Sequence, residues 1–148
     1  MEIYSIGFTQ KTAAQFFSLL KQHNIRRLLD VRLNNVSQLA GFAKRDDLKY
    51  FLQEICNADY IHDPTLAPTQ EMLDRYKKEK TTPWSEYESA FLTLIAERKI
   101  ESTLDPEIFS IPTVLLCSEP TPENCHRRLV LEHLRTHWPS HNITIRHI

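Results

Sequence analysis

The sequence predicts an α/β fold: a single domain with an open, mostly parallel sheet and helices on both faces. Three observations carry that prediction. Short apolar runs such as Val114-Leu115-Leu116 alternate with stretches of 3.6-residue apolar spacing. Parallel strands need crossover connections, and intervening helices supply them. No linker, repeat or low-complexity tract divides residues 1–148, and a chain of this length buries a sizeable core without help from a disulfide or metal.

Glu2 to Ile6 reads as the first strand, after which Gly7-Phe8-Thr9 turns into a helix with Ala13, Phe16, Phe17 and Leu20 inside and Thr9 or Thr12 as its cap. The run from Arg26 to Arg32 places Leu28-Leu29 before Asp30-Val31-Arg32, as in a buried strand emerging at its carboxyl end. A polar loop, Leu33 to Lys44, precedes a helix begun near Asp46 with Leu48, Phe51, Leu52 and Ile55 at helical spacing. Asp59 to His62 forms a third strand. Pro64 and Pro68 then break regular structure ahead of two helices, Gln70 to Lys80 and Ser85 to Lys99, the second presenting Tyr87, Phe91, Leu94 and Ile95. Thr113 to Cys117 is the clearest strand. A proline-bearing loop, Ser118 to Asn124, follows it into a helix carrying Leu129, Val130, Leu131 and Leu134, and Ile143 to Ile148 is the last strand.

A formal net charge of -1 excludes a strongly basic footprint and hence broad nucleic-acid coating, although it leaves room for a local basic patch. Three cysteines, Cys56, Cys117 and Cys125, cannot all pair and are too sparse for a disulfide scaffold. The chain opens on EIYSIG without a basic-then-apolar leader, and no run approaches ~18 apolar residues, so a cytoplasmic protein with no membrane span is expected. Gly7 permits close ligand approach at the first strand-to-helix turn. With no G-x-G-x-x-G around it there is no dinucleotide signature, and no cofactor is expected.

Ligands of parallel sheets gather at the carboxyl ends of strands. Here those ends deliver Gly7 and Thr9, then Asp30 and Arg32, then His62, then Cys117 and Glu119. The densest chemistry runs from Cys117-Ser118-Glu119 to Cys125-His126-Arg127-Arg128. Cys125, beside a helix start and next to His126 and Arg127, is expected to be the easier thiolate, while Cys117 and especially Cys56 also suit a packed core. His126 fits proton transfer and Glu119 fits a base or an imidazole-orienting group. Arg127 with Arg32 fits an anion clamp, and Asp30 with Arg32 fits a plain salt bridge equally well. The C-x7-C-H spacing matches no common zinc finger, so no metal is expected, His62 being the residue that would complete a partial site. His133 and His137 share a helix face without an acidic pattern beside them and read as a solvated face.

These residues resemble those of the bacterial and archaeal family called domain of unknown function 488, over essentially the whole chain. The marks are Ser5-Ile6-Gly7-Phe8-Thr9, Asp30-Val31-Arg32, Ser37-Gln38-Leu39-Ala40-Gly41-Phe42, Tyr60-Ile61-His62 before Leu66-Ala67-Pro68-Thr69, and above all Leu116-Cys117-Ser118-Glu119 followed by Cys125-His126-Arg127-Arg128. Phe8 stands where many members carry His or Tyr, so no polar role carries over to it. The resemblance implies an α/β domain gathering Arg32, His62, Cys117, Glu119, Cys125, His126 and Arg127 near one pocket, and it brings no activity. A C-x5-R phosphatase or rhodanese loop is disfavoured because Glu123 stands at the arginine position.

The leading expectation is an enzyme, a thiol- or acid/base-dependent hydrolase or transferase, acting on a small anionic or nucleotide-like ligand. The alternatives are a noncatalytic nucleic-acid or nucleotide-binding module using Arg32, Lys44, Arg45, Arg127 and Arg128, and a redox sensor pairing Cys117 with Cys125. Oligomeric state leaves no mark in the sequence.

Overall fold

The computed structural model describes residues 1–36 and 40–148. Its strands are β1 (Glu2–Gly7), β2 (Arg27–Asp30), β3 (Asp59–His62), β4 (Thr113–Cys117) and β5 (Thr144–His147), all parallel in one sheet of order β3-β2-β4-β1-β5. The described helices are α1 (Ala13–Gln22), α2 (Arg45–Phe51), α3 (Gln70–Leu73), α4 (Trp84–Arg98), α5 (Ile100–Thr103) and α6 (His126–His137). The α/β class with a parallel sheet is as the sequence predicts. Ser37, Gln38 and Leu39 of the quoted loop motif lie outside the described residues.

Local chemistry sets the boundaries. Thr12, not Thr9, caps α1: its hydroxyl accepts from the Gln15 N–H at 3.1 Å while the Gln15 side chain accepts from the Thr12 N–H at 2.8 Å. Asn24 (φ 53°) and Asn57 (φ 50°) turn the chain after α1 and after the extension of α2, in a left-handed conformation that asparagine tolerates. Both α2 and α3 run on through single π-turns, Leu52–Cys56 and Asp74–Lys78. The first leaves Ile55 40% exposed, off the inner face that simple helical spacing gives it. Lys99 (φ 52°) ends α4 and starts the short α5, which the periodicity does not reveal.

Strand parity decides what each face receives. Ile6, Leu28, Val114 and Leu116 pack with Phe16, Phe17, Leu20, Leu48 and Leu52 from α1, α2 and its extension. Leu29, Val31, Leu115 and Cys117 pack on the other face with Phe91, Ile95, Ile100, Leu129 and Leu134 from α4, α5 and α6. The connection leaving β2 through α2 serves one face, and the connection leaving β4 through α6 serves the other. Their loops therefore part between the carboxyl ends of β2 and β4, the place where open parallel sheets form a ligand crevice. Among the described residues no helix is long and apolar enough to cross a membrane.

Candidate functional site

A cavity of about 280 Å³ opens at that parting. Arg32 reaches it from beyond β2, Cys117 and Glu119 from the end of β4, and Cys125 and His126 from the start of α6. Tyr76, Lys77 and Tyr87 from the helical insertion line it as well.

Arg32 is 3% exposed and is held by a fully buried partner, Asp30. Its Nε and Nη2 donate to the two Asp30 carboxylate oxygens at 2.9 Å each, and its backbone N–H donates to Asp30 Oδ1 at 3.1 Å. The Tyr60 hydroxyl donates to Asp30 Oδ2 at 2.5 Å, and the burial of that phenol raises its pKa first, the Asp30 contact second. The guanidinium also lies 5.2 Å over the Phe8 ring, which gives this apolar departure from the family pattern a cation-π role. Among the described residues, Nη1 is buried and has no hydrogen-bond partner. Such an atom costs about 1–3 kcal/mol, more on a charged group, and its residue lines the cavity.

The thiols and imidazole form the opposite side. His126 is 6% exposed, and its Nε2 donates to the Val31 carbonyl at 2.7 Å, since a carbonyl oxygen only accepts. That fixes the ring with Cys117 Sγ beside both nitrogens, 3.5 Å from Nδ1 and 3.9 Å from Nε2. Phe91 stacks edge-on against the imidazole with centroids 5.3 Å apart. Burial pushes the His126 pKa down. Hydrogen bonding from the Cys125 thiol draws the Cys117 thiol below its ordinary value despite burial, aided by the Ser118 N–H and by the Arg127 and Lys77 charges. Burial, and then the contact with Cys117, pushes Cys125 upward. These directions favour Cys117 over Cys125 as the thiolate, opposite to the sequence expectation, and the hydrogen bond between the two thiols is what separates them, since both are buried. Cys125 does stand at the N-cap of α6, where burial opposes the helix end.

Five of the ten sequence-derived site residues meet around the cavity: Arg32, Cys117, Glu119, Cys125 and His126. The other five do not line it. Asp30 stands behind Arg32. A Cβ on Gly7 would lie 1.6 Å from the Glu119 carbonyl oxygen, so the glycine admits the chain's own loop and not a ligand. Thr9 is exposed and lines a separate groove, its N–H donating to Ser118 O at 3.1 Å. His62 Nε2 is spent on the Arg32 carbonyl at 2.7 Å and does not join the thiol cluster. Arg127, expected as half of an anion clamp, is 1% exposed and fastens α6 internally, Nε donating to Ser5 Oγ (3.1 Å) and Nη1 to Glu119 O (2.7 Å). Glu119 itself pairs with Lys77 across the rim. Strand-end reasoning cannot find Tyr76, Lys77 or Tyr87, because they enter from the helices inserted between β3 and β4.

Cys117, Cys125 and His126 place their three ligand atoms within 4.8 Å of one another, as do Glu101, His133 and His137 on the outer surface of α5 and α6. In the outer group one nitrogen of each ring is already engaged: His133 Nε2 meets Glu101 Oε2 at 2.8 Å and His137 Nδ1 donates to His133 O at 2.8 Å. His137 is exposed, while His133 links α6 to α5 through Glu101.

A parallel α/β protein with a buried thiol, imidazole and guanidinium facing one cavity at its switch point is the class that fold and site define. The family described as Domain of unknown function DUF488 matches residues 12–134, and the chain belongs to it. No curated protein and no solved structure matches it.

Proposed function

We propose that the chain is an enzyme acting on a small anionic or nucleotide-like ligand, with Arg32 as the anchor and the Cys117, Cys125 and His126 group as the reactive centre. One observation carries this reading: a buried guanidinium nitrogen without a partner belongs to a residue lining the same cavity as the thiols and imidazole. An acceptor oxygen on the ligand completes the Arg32 fork once a side-chain shift uncovers the buried Nη1. The charge inventory limits the ligand. Arg32 is neutralised by Asp30 and Lys77 is paired with Glu119, so the cavity favours a singly charged or strongly polar group over a polyphosphate. Its volume of about 280 Å³ also suits a small molecule, and the Tyr76 and Tyr87 rings, stacked at 4.6 Å, offer a wall for a planar one.

The nucleic-acid-binding alternative loses most of its cations. Arg127 is buried, Arg45 pairs with Asp46, and Arg128 pairs with Glu132 and Glu88. Calorimetric titration with phosphate and with a nucleoside monophosphate tests the reading. Arg32→Lys retains a charge for Asp30 but lacks the planar fork, and it should weaken binding about tenfold or more, as loss of a charged hydrogen bond does. Equal binding by wild type and variant refutes the anchor; tight, salt-steep binding of a nucleic acid in place of the small anions would favour the other reading.

A further inference from the structure

We infer that Cys117 Sγ, Cys125 Sγ and His126 Nδ1 form a three-ligand site for a borderline-soft divalent metal ion of the zinc type, with a fourth position open to the cavity. The three atoms lie within 4.8 Å of one another, and all three residues line the cavity. Zinc bonds of about 2.3 Å to sulfur and about 2.0–2.1 Å to nitrogen, at tetrahedral angles, put S and N about 3.6 Å apart. Cys117 Sγ and His126 Nδ1 stand 3.5 Å apart.

The imidazole carries the outer hydrogen bond of a ligating histidine: its Nε2–H donates to the Val31 carbonyl at 2.7 Å, which leaves Nδ1 as the free ring nitrogen. Cys117 Sγ stands 3.5 Å from Nδ1 and 3.9 Å from Nε2, so a turn of the ring brings the Nδ1 lone pair onto a shared ion. Charge balance favours the ion as well. Two thiolates, a neutral imidazole and a divalent cation sum to zero, so the group can sit among Tyr87, Phe91 and Leu129 without an uncompensated buried charge. Binding releases to solvent the proton of each thiol that was protonated, and no bond to carbon forms or breaks.

The local fold explains why the spacing does not announce the site. Cys117 ends β4, while Cys125 is the extended N-cap of α6 (φ -136°, ψ 137°), so it and the first helical residue His126 can reach one point though adjacent in sequence. A finger spacing is needed only where one short loop supplies two ligands. Three protein ligands with an open position make a reactive type of site, not a closed structural one. That the open position receives the anionic ligand rests on the proposed function; occupancy by metal does not.

Cobalt(II) titration of the reduced, chelator-treated full chain tests the inference. One equivalent should produce thiolate-to-metal charge-transfer absorption and intense tetrahedral ligand-field bands, and zinc should displace them. Cys117→Ser, Cys125→Ser and His126→Gln should each lower affinity by more than the roughly 10–100-fold that loss of an outer-shell partner causes. Circular dichroism identifies any variant that has not folded, and zinc competition against a chromophoric chelator on the wild type stands without the variants. No charge-transfer band in the wild type, or a band that survives both folded cysteine variants, overturns the site. The same result for Arg32→Lys separates the two proposals: it should keep the cobalt spectrum while losing phosphate. Cobalt binding without phosphate binding by the wild type would sink the proposed function and leave the metal site standing; phosphate binding without cobalt would do the reverse.

Discussion

At the carboxyl end of β1 the Glu119 carbonyl fills the space beside Gly7 and Arg127 donates from Nε to Ser5 and from Nη1 to Glu119, whereas beyond β2 the similarly buried Arg32 keeps one nitrogen unpartnered among the described residues. Both places present an arginine and a strand end. What separates them is satisfaction: the first is closed by the chain's own backbone, and the second holds a buried nitrogen with no partner among the described residues. The sheet order produces the difference, since the loops leaving β2 and β4 part while the turn after β1 is crossed by the loop after β4. Closed-mouth variants should therefore cost stability alone. Open-mouth variants should change what binds.

The largest effect expected is for Asp30→Asn. It leaves the Arg32 guanidinium buried without its carboxylate, and breaking one side of a buried pair costs about 3–5 kcal/mol. Urea unfolding measures it. Because the freed cation then seeks an anion, phosphate should raise the unfolding midpoint of the variant more than that of the wild type. If phosphate stabilises both equally, Arg32 is not the anchor.

Gly7→Ala follows, at about 3 kcal/mol, the upper end of overpacking costs, because its Cβ would meet backbone 1.6 Å away and not the tip of a flexible side chain. Arg127→Lys should lose about 1–3 kcal/mol, since the ammonium cannot make both the Ser5 and the Glu119 contacts from one position. Its phosphate affinity, measured by calorimetry on folded protein, should stay unchanged. A fall in affinity with stability retained would erase the distinction between the two mouths.

Much of this arrangement is legible in the residues. The run Val114-Leu115-Leu116 fixes a buried strand, and its parity already puts Cys117 on the opposite face from Leu116. The strand-end rule brings Arg32, Cys117 and Glu119 to the same end. The Asp30 pairing of Arg32 is local and visible as one of two sequence expectations, whereas the Ser5 contact that takes Arg127 out of the clamp spans the chain and is a tertiary fact. Cys125 misleads for the same reason. A helix start is visible in the sequence, but burial at 2% exposure is not. The far wall of the cavity comes from α4, where Tyr87 reads simply as part of a helical inner face, and from the extension of α3, where the pattern gives Tyr76 no role.

The smallest stability effect and the sharpest test of the open mouth belong to Lys77→Gln. Lys77, in the π-turn extending α3, pairs with Glu119 in the loop after β4, and the two side chains are 43% and 35% exposed. A pair that wet contributes about 0–1 kcal/mol, so the unfolding midpoint should barely move. Its position at the cavity rim is another matter. The pair ties the helical insertion to the loop that crosses Gly7, and releasing it should let reagents reach the buried thiols. Metal-free, reduced protein treated briefly with iodoacetamide and read by mass spectrometry should label Cys117 and Cys125 faster in the variant. Cys56, half-buried on the opposite face in the extension of α2, serves as the internal standard and should label at the same rate in both proteins. High salt screens a partly exposed pair, so it should speed labelling of the wild type and bring it toward the variant, while leaving the variant itself unchanged. If the two proteins label alike at low salt with Cys56 constant, the ion pair does not guard the rim, and the mouth between β2 and β4 is open without it.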